Sequence, residues 1–258
     1  MRRAGKLLLA VTLFLPLPAI AGPTAQDIVE RVAAQPAPES SAIRVKMVLL
    51  GQRGGRETRQ ERTVEMFAAR TPEGARSLLR FVEPRDVAGV SLLVVENPGG
   101  ANDQWLYMPA LKQEPRRISG GQKNASFLGT DFTFADLEGR APGQWTHQLL
   151  REEAVDGHPA WVIESKPKNP ADAPYVKTVQ WVRQDNYVPV RIEFYDGRGL
   201  LKILTAEDLA QVDGYWVARR TKMENVRKKH ATILEIIEQK NNLQFPPDFF
   251  STRRMKQG

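Results

Sequence analysis

Apolar and polar residues alternate along most of the chain after residue 40. In residues 43–49, Ile, Val, Met and Leu occupy every second position, with Arg44 and Lys46 between them. A period of two is typical of a β-strand with one buried face. Similar segments recur as far as residue 238, joined by turns such as Asp156-Gly157. The pattern predicts a mainly β protein of about 11 strands, paired antiparallel because the connections are short.

One helix is predicted before the first strand. Thr24 is suited to an N-cap, and Asp27 stands three residues later, as in a capping box. Ile28, Val29 and Val32 then fall on one helical face, and two prolines by residue 38 end the helix. The rest of the chain shows no repeat and no convincing linker, so we expect a single domain over residues 22–258.

Residues 119–144 interrupt the strand pattern. The segment is rich in Gly, Ser, Asn and Asp, yet it also contains Phe127, Phe132 and Phe134. Residues 131–137 could form a short helix within it. A long connection that carries aromatic side chains usually packs across an apolar surface, so the segment is predicted to be a lid or plug. The alternative is a crossover that stays docked on the core.

Several strands carry large apolar side chains on both faces. Trp105 and Tyr107 alternate with Leu106, and Ile192 and Phe194 occupy one face of a later strand. A sheet with two apolar faces needs cover on both sides, or a ligand on one of them. A curved sheet closed by a helix and an aromatic segment would enclose a cavity. A plain sandwich core without a cavity is the other interpretation.

The first 21 residues have the layout of a secretory signal peptide. Three basic residues, Arg2, Arg3 and Lys6, precede an apolar run of about 11 residues, too short for a bilayer core that needs about 20. A small-x-small site ends at Ala21, after which we expect cleavage. The absence of cysteine excludes disulfides, thiolate metal sites and a lipid-modified cysteine. We therefore expect a soluble, unanchored periplasmic protein.

Charge and motifs narrow the function further. The net charge of +7 becomes +4 once the three basic residues of the signal are removed. This balance gives only a weak preference for anionic partners and does not suit nucleic-acid binding. No nucleophile elbow, phosphate-binding loop or dinucleotide motif is present. The three histidines lack metal-ligand spacing and are predicted to be solvated, so the sequence indicates neither enzyme, metal nor cofactor.

Three basic features remain as candidates for contact with an anionic partner. Arg116-Arg117 precedes residues 119–144, and Arg227-Lys228-Lys229 lies in a late turn. Charged turns are more often simply solvated. Arg70 stands at a strand end, where an arginine could latch a loop by donating hydrogen bonds to its carbonyls.

The sequence resembles the LolA-like superfamily of outer-membrane lipoprotein-sorting proteins, and more closely its larger periplasmic branch. Residues 126–137, Ser-Phe-Leu-Gly-Thr-Asp-Phe-Thr-Phe-Ala-Asp-Leu, carry the most specific part of the resemblance. It also rests on residues 84–90, 105–111, 116–118 and 241–253, and it spans essentially the whole mature chain. The resemblance implies a highly curved antiparallel sheet, an unclosed half-barrel whose apolar concave side is covered by helices and a loop.

The resemblance also implies a function. Carriers of this type receive acyl chains on the concave side, and members of this branch often work beside resistance-nodulation-division (RND) exporters. Arg70 falls roughly where such carriers place a latch arginine. The leading hypothesis is a periplasmic, monomeric carrier of lipids or lipid-modified proteins that contacts membranes only transiently. The alternative is an accessory or sensor protein that carries nothing and docks on a membrane partner; a hydrolase is a third and minor option.

These considerations select twelve candidate ligand-binding residues, although a one-residue error in register would exchange the faces of any strand. They are Met47, Met66, Arg70, Leu79, Phe81, Trp105, Tyr107, Phe127, Phe132, Phe134, Ile192 and Phe194.

Overall fold

The computed structural model describes residues 22–139 and 142–257. The predicted signal peptide and its cleavage site, in residues 1–21, lie outside the described residues. Within the described part of the chain, every helix is too short or too polar to cross a bilayer.

Helix α1, Ala25–Ala33, begins with the predicted capping box. The Thr24 side chain accepts a hydrogen bond from the N–H of Asp27, whose carboxylate accepts one from the N–H of Thr24. Its apolar face packs on the sheet, where Ile28 contacts a cluster around Trp161. The helix therefore covers one end of the sheet.

The described residues form thirteen strands in one antiparallel sheet, with β6 and β7 at its two edges. The sheet is highly curved and unclosed, as predicted. The order across the sheet is β6-β5-β4-β3-β2-β1-β13-β12-β11-β10-β9-β8-β7. The strands are β1 Ser40–Arg53, β2 Arg56–Thr71, β3 Gly74–Glu83, β4 Ser91–Val95, β5 Asp103–Tyr107, β6 Arg116–Ile118, β7 Trp145–Val155, β8 His158–Pro167, β9 Lys177–Arg183, β10 Pro189–Asp196, β11 Gly199–Val212, β12 Tyr215–Asn225 and β13 His230–Asn241.

The strand count differs from the predicted number of about 11. One of the additional strands is β6, whose three residues are two exposed arginines and the buried Ile118. Three residues are too few to establish a period of two, so the arginines were interpreted as a basic feature instead of a strand. The side chain of Arg117 in fact pairs with Asp103 on the neighbouring strand.

Topology explains why residues 119–139 cross the molecule. Strands β6 and β7 follow each other in the chain but lie at opposite edges of the sheet. The connection between them must span the open side of the curved sheet. Its residues contact strands from both halves, including β2 through Leu128 and β11 through Asp131, so it lies across the concave side. We call residues 119–139 the crossing segment.

The connections contain short helices. The predicted short helix at residues 131–137 is present as a single 3-10 turn, Phe134–Leu137, capped by Thr133. The other 3-10 turns are Pro109–Leu111, Gly120–Asn124, Pro142–Gln144 and Pro170–Asp172, and a second α-helix, α2, spans Thr252–Met255.

A second cover lies on the outer, convex face of the sheet. Phe249, Phe250 and the buried Met255 pack against Leu78 and Leu93 of β3 and β4. We call residues 245–255 the outer cover. The sheet therefore has apolar material on both faces, as the sequence pattern predicts.

Candidate functional site

The crossing segment inserts aromatic side chains into the concave side of the sheet. Phe127 is 1% exposed, and its ring lies 5.7 Å from that of Phe81 and 5.4 Å from that of Phe134. Six of the predicted site residues meet in this one cluster. They are Met47, Met66, Leu79, Phe81, Phe127 and Phe134.

A second cluster adjoins the first on the same side. Phe132 of the crossing segment packs with Phe194, Tyr175 and Met223, and Ile192 lies at its edge. The structure therefore brings three more of the predicted residues, Phe132, Ile192 and Phe194, under the crossing segment. Leu137 and Leu234 contact both clusters and join them into one apolar interior.

Trp105 and Tyr107 lie on the opposite face. On β5 the side chains that face the interior are Gln104 and Leu106, so their neighbours in sequence point outward. Both aromatic residues belong to the cluster under the outer cover. The strand was predicted correctly, but its pattern is apolar on both faces and did not reveal which face is concave.

Arg70 lies away from the crossing segment. It lines a groove of about 360 Å³ at the end of β2, beside Asn242 and Leu243. Among the described residues, no hydrogen bond joins Arg70 to the crossing segment. That contact is made instead by Arg62, whose Nη1 donates to the carbonyl of Leu128 at 2.8 Å.

Arg62 reaches the crossing segment across the interior. Its guanidinium lies 5.7 Å from the centre of the Phe81 ring, and burial lowers its pKa from the ordinary value of 12.5. Arg62 is half-buried, and a guanidinium withdrawn from water is costly unless it donates hydrogen bonds to compensating acceptors. From β5, Nε2 of Gln104 likewise donates to the carbonyl of Phe134 at 2.8 Å. These two bonds fix the backbone of the crossing segment over the apolar cluster.

A buried ion pair holds the middle of the crossing segment. The side chains of Lys202 and Asp136 are 2% and 3% exposed and form a salt bridge, and Nζ of Lys202 also donates to the carbonyl of Asp131 at 3.0 Å. Tyr175 donates its hydroxyl to Asp136 at 2.8 Å. Burial raises the pKa of Asp136, but the Lys202 ammonium and the bonds from Thr133 outweigh it, so the pKa lies below 3.8.

Asp131 forms a further attachment, to β13. Its carboxylate accepts hydrogen bonds from Thr232 at 2.8 Å and from Nδ1 of His230 at 2.7 Å. His230 was predicted to be a solvated strand or turn residue; it begins β13 and is partly exposed, but the fold also gives it Asp131 as a partner, which the sequence did not indicate. Lys202, Asp136, Asp131 and Arg62 were all missed by the sequence interpretation. A signal was present for Lys202, a charged residue whose neighbours two positions away on either side, Leu200 and Leu204, are apolar.

The late basic turn has an internal partner. Both terminal nitrogens of Arg227 donate to the carboxylate of Asp196 at 2.8 Å, and this hydrogen bonding lowers the pKa of Asp196 to about 2. Lys228 and Lys229 are exposed.

A second groove, of about 740 Å³, lies between α1 and Trp161. Among the described residues, no three His, Asp or Glu side chains come together as a metal site.

The comparisons with known proteins agree with this architecture. A family model described as "Uncharacterized protein" matches residues 73–257. A candidate outer membrane lipoprotein-sorting protein domain from Vibrio parahaemolyticus is 29% identical, with 90% of this chain and 98% of that chain covered and a TM-score of 0.83. A DUF1329 family protein from Desulfovibrio piger is 26% identical, with 90% and 97% covered and a TM-score of 0.82.

The fold alone is shared with a LolA superfamily protein from Nitrosomonas europaea. That structure is 23% identical, with 89% of this chain and 98% of that chain covered and a TM-score of 0.68. No curated protein matches the sequence. The chain belongs to the family whose model matches residues 73–257, and it shares its fold with outer membrane lipoprotein-sorting, DUF1329 and LolA superfamily proteins.

Proposed function

We propose that this protein is a periplasmic carrier that holds the acyl chains of lipids or lipid-modified proteins beneath the crossing segment. The observation that carries the proposal is the apolar interior itself, covered by a segment whose phenyl rings occupy the place an acyl chain would take. Nine of the twelve predicted residues line this interior. The lipoprotein-sorting name of a structural relative supports the same class of cargo.

The energetics favour such a role. Transferring a chain of a dozen methylene groups from water gives about 10 kcal/mol, at about 0.8 kcal/mol for each group. Part of this gain is offset, because Phe127 and Phe134 must leave the interior when the chain enters. A carrier needs the empty and loaded states to be close in free energy, because a partner that stabilises one state of the cover can then drive uptake or release.

The polar attachments favour one well-defined closed position of the crossing segment. A cover held only by apolar contacts could slide, whereas the bonds from Arg62, Gln104 and Lys202 form only when the segment is seated. The amide oxygen of Gln104 is buried without a partner among the described residues, which lowers the stability of the closed state. The closed state is therefore well defined but can be opened.

The proposal extends to the place and direction of transport. Residues 1–21 are proposed to direct export and to be cleaved after Ala21, and the mature protein is proposed to act as a monomer. The cargo is proposed to move towards the outer membrane, with an RND-type exporter as the membrane partner. The likeness to an outer membrane lipoprotein-sorting domain supports this route, and contact with either membrane would be transient.

An accessory or sensor protein that carries nothing is the second candidate. The observation that favours it is the filling of the interior by the chain's own side chains, with Phe127, Phe132 and Phe134 all buried. Neither of the two grooves described above lies beneath the crossing segment. In this alternative the crossing segment would remain closed at all times.

A reversible lock distinguishes the two candidates. The chain has no cysteine, so Asp131→Cys with Thr232→Cys introduces a single pair at positions whose side chains are in hydrogen-bond contact. A carrier should take up a fluorescent fatty acid when the pair is reduced and lose this uptake when it is oxidised. Lipid mass spectrometry of solvent extracts should find acyl species in native protein purified from cells. No acyl species, and no uptake in either redox state, would favour the non-carrying candidate.

A further inference from the structure

The sheet opens between β12 and β13. Their ladder runs from Asn225–His230 only as far as Arg220–Glu235, although β12 begins at Tyr215 and β13 continues to Asn241. Beyond that point each strand remains paired on its other side, β12 with β11 and β13 with β1. The two strands therefore diverge in the middle of the sheet. We call the space between residues 215–219 and 236–241 the wedge.

Side chains close the wedge at both ends. Arg220 pairs with Glu235 at 3.5 Å where the ladder stops, and Asn241 donates to Asp213 at 2.9 Å at the far end. The pairing of β13 with β1 shifts register at Arg44/Val45, which leaves Ile237 as the extra residue of a β-bulge. A bulge bends its strand, and this explains why β13 turns away from β12 here.

The mouth of the wedge is apolar. Trp216 on β12 is 39% exposed and Ile237 on β13 is 59% exposed, although both are large apolar side chains. Glu238 and Lys240, on the same strand as Ile237, pair with each other at 2.7 Å, and Arg219, three residues after Trp216, is exposed. Trp216 and Ile237 thus place one exposed apolar side chain on each strand that borders the wedge, where apolar material can make contact.

The inner side of the wedge faces the apolar interior. Leu234, two residues before Ile236, packs in both interior clusters. Side chains alternate along a strand, so Ile236 also points inward. It is paired with Val45, which is 3% exposed on the interior face of β1. The wedge therefore lies between the exposed apolar mouth and the space under the sheet.

We propose that the wedge is the passage through which the acyl chain of the cargo enters and leaves the interior. This inference rests on the proposed carrier function and adds the route to it. An acyl chain placed there would break no ladder hydrogen bond, because the strands are already apart. Passage through the wedge would also leave the bonds of Lys202 and Arg62 to the crossing segment intact at the first step of entry.

The absence of cysteine allows the wedge to be blocked specifically. Ile237→Cys would be the only thiol in the chain and can be alkylated with a bulky maleimide. The matched control is Leu150→Cys, which replaces an exposed apolar residue on the distant edge strand β7. Uptake of a fluorescent fatty acid should slow at least tenfold when Ile237→Cys is alkylated, and should be unchanged when Leu150→Cys is alkylated.

A photoreactive fatty acid gives an independent readout. A diazirine at the end of the chain should cross-link during uptake to residues 215–219 and 236–241 before it cross-links to the interior. Equal uptake by both alkylated variants, with cross-links only at the crossing segment, would overturn the proposed route while leaving the carrier function intact. Absence of uptake by the unalkylated variants would instead overturn the carrier function, and the route with it.

Discussion

The two covers of the sheet differ in what holds them. The crossing segment is attached to the interior face by the buried Lys202–Asp136 ion pair and by the bond from the half-buried Arg62. The outer cover also accepts a hydrogen bond, from Arg80 to the carbonyl of Arg254 at 2.8 Å, but it is held mainly by aromatic packing, and among the described residues it has no buried ion pair. Ion pairs and hydrogen bonds are directional and are lost together when a segment shifts, whereas apolar contacts tolerate small displacements. The buried ion pair therefore distinguishes the inner cover, and we expect that cover to act as a switch while the outer cover stays docked.

Removing one partner of the buried ion pair should have the largest effect. Lys202→Met leaves the Asp136 carboxylate without its ammonium, which should lower the free energy of unfolding by about 3–5 kcal/mol. Urea unfolding followed by tryptophan fluorescence measures the change. The double variant Lys202→Met with Asp136→Asn should recover most of the loss, because no uncompensated charge remains. A single variant as stable as the native protein would contradict the role given to this pair.

The second-largest loss of stability is expected from shortening Met255, a side chain of the outer cover. Met255 is 1% exposed, so Met255→Ala should cost about 2–4 kcal/mol through lost burial and the cavity it leaves. We expect fatty-acid uptake to keep its native rate, since this residue lies on the face opposite the interior. A large change in uptake at a temperature where the variant is folded would mean that the two covers are coupled.

Substitution of Arg62 should reduce the stability of the fold less than the two changes above. Its larger effect should be on the opening of the crossing segment. Arg62→Gln shortens the side chain that bonds to Leu128, at a cost of about 1–3 kcal/mol. Because the bond exists only in the closed state, hydrogen exchange of the crossing segment and fatty-acid uptake should both become faster. The control is Arg59→Gln, three residues away, whose side chain is 55% exposed. If hydrogen exchange and uptake changed equally in both variants, the cause would be the loss of a positive charge and not the loss of the bond to Leu128.

The smallest expected effect is on the acid sensitivity of stability, which the Lys202–Asp136 pair of the inner cover should increase. The pKa of Asp136 is below 3.8 in the folded protein, so its contribution is complete above that pH. The contribution is lost as the pH falls through the lowered value. The native protein should therefore lose more stability than Lys202→Met when urea unfolding is repeated at progressively lower pH. If the free energy of unfolding fell equally in the two proteins as the pH was lowered, the Lys202–Asp136 pair would not be the cause of the acid sensitivity.

Much of the architecture could be predicted from local pattern. The alternation in segments such as residues 43–49 predicted the strands, and Thr24 with Asp27 predicted the start of α1 because capping involves only neighbouring residues. The aromatic content of residues 119–144 predicted a cover. The exception was β6, which is too short to carry a period.

The candidate site was predictable only in part. Phe127 and Phe134 were identified because aromatic residues in a long connection need an apolar partner. Trp105 and Tyr107 were placed on the interior although they face outward, since a strand with two apolar faces does not reveal which one is concave. Arg62 and His230 were missed because their partners are 66 and 99 residues away in the chain.

Local sequence patterns were enough to predict a mainly β chain with a capped first helix and an aromatic segment between two series of strands. Those features depend on hydrophobic period, capping and turn residues, which act over a few positions. The order of strands in the folded sheet places β6 and β7 at opposite edges, so that the crossing segment spans the concave side. The fold also brings Lys202 and Arg62 to that segment and makes β12 and β13 diverge. These outcomes depend on sheet order, register and curvature, which arise from contacts between residues far apart in the chain.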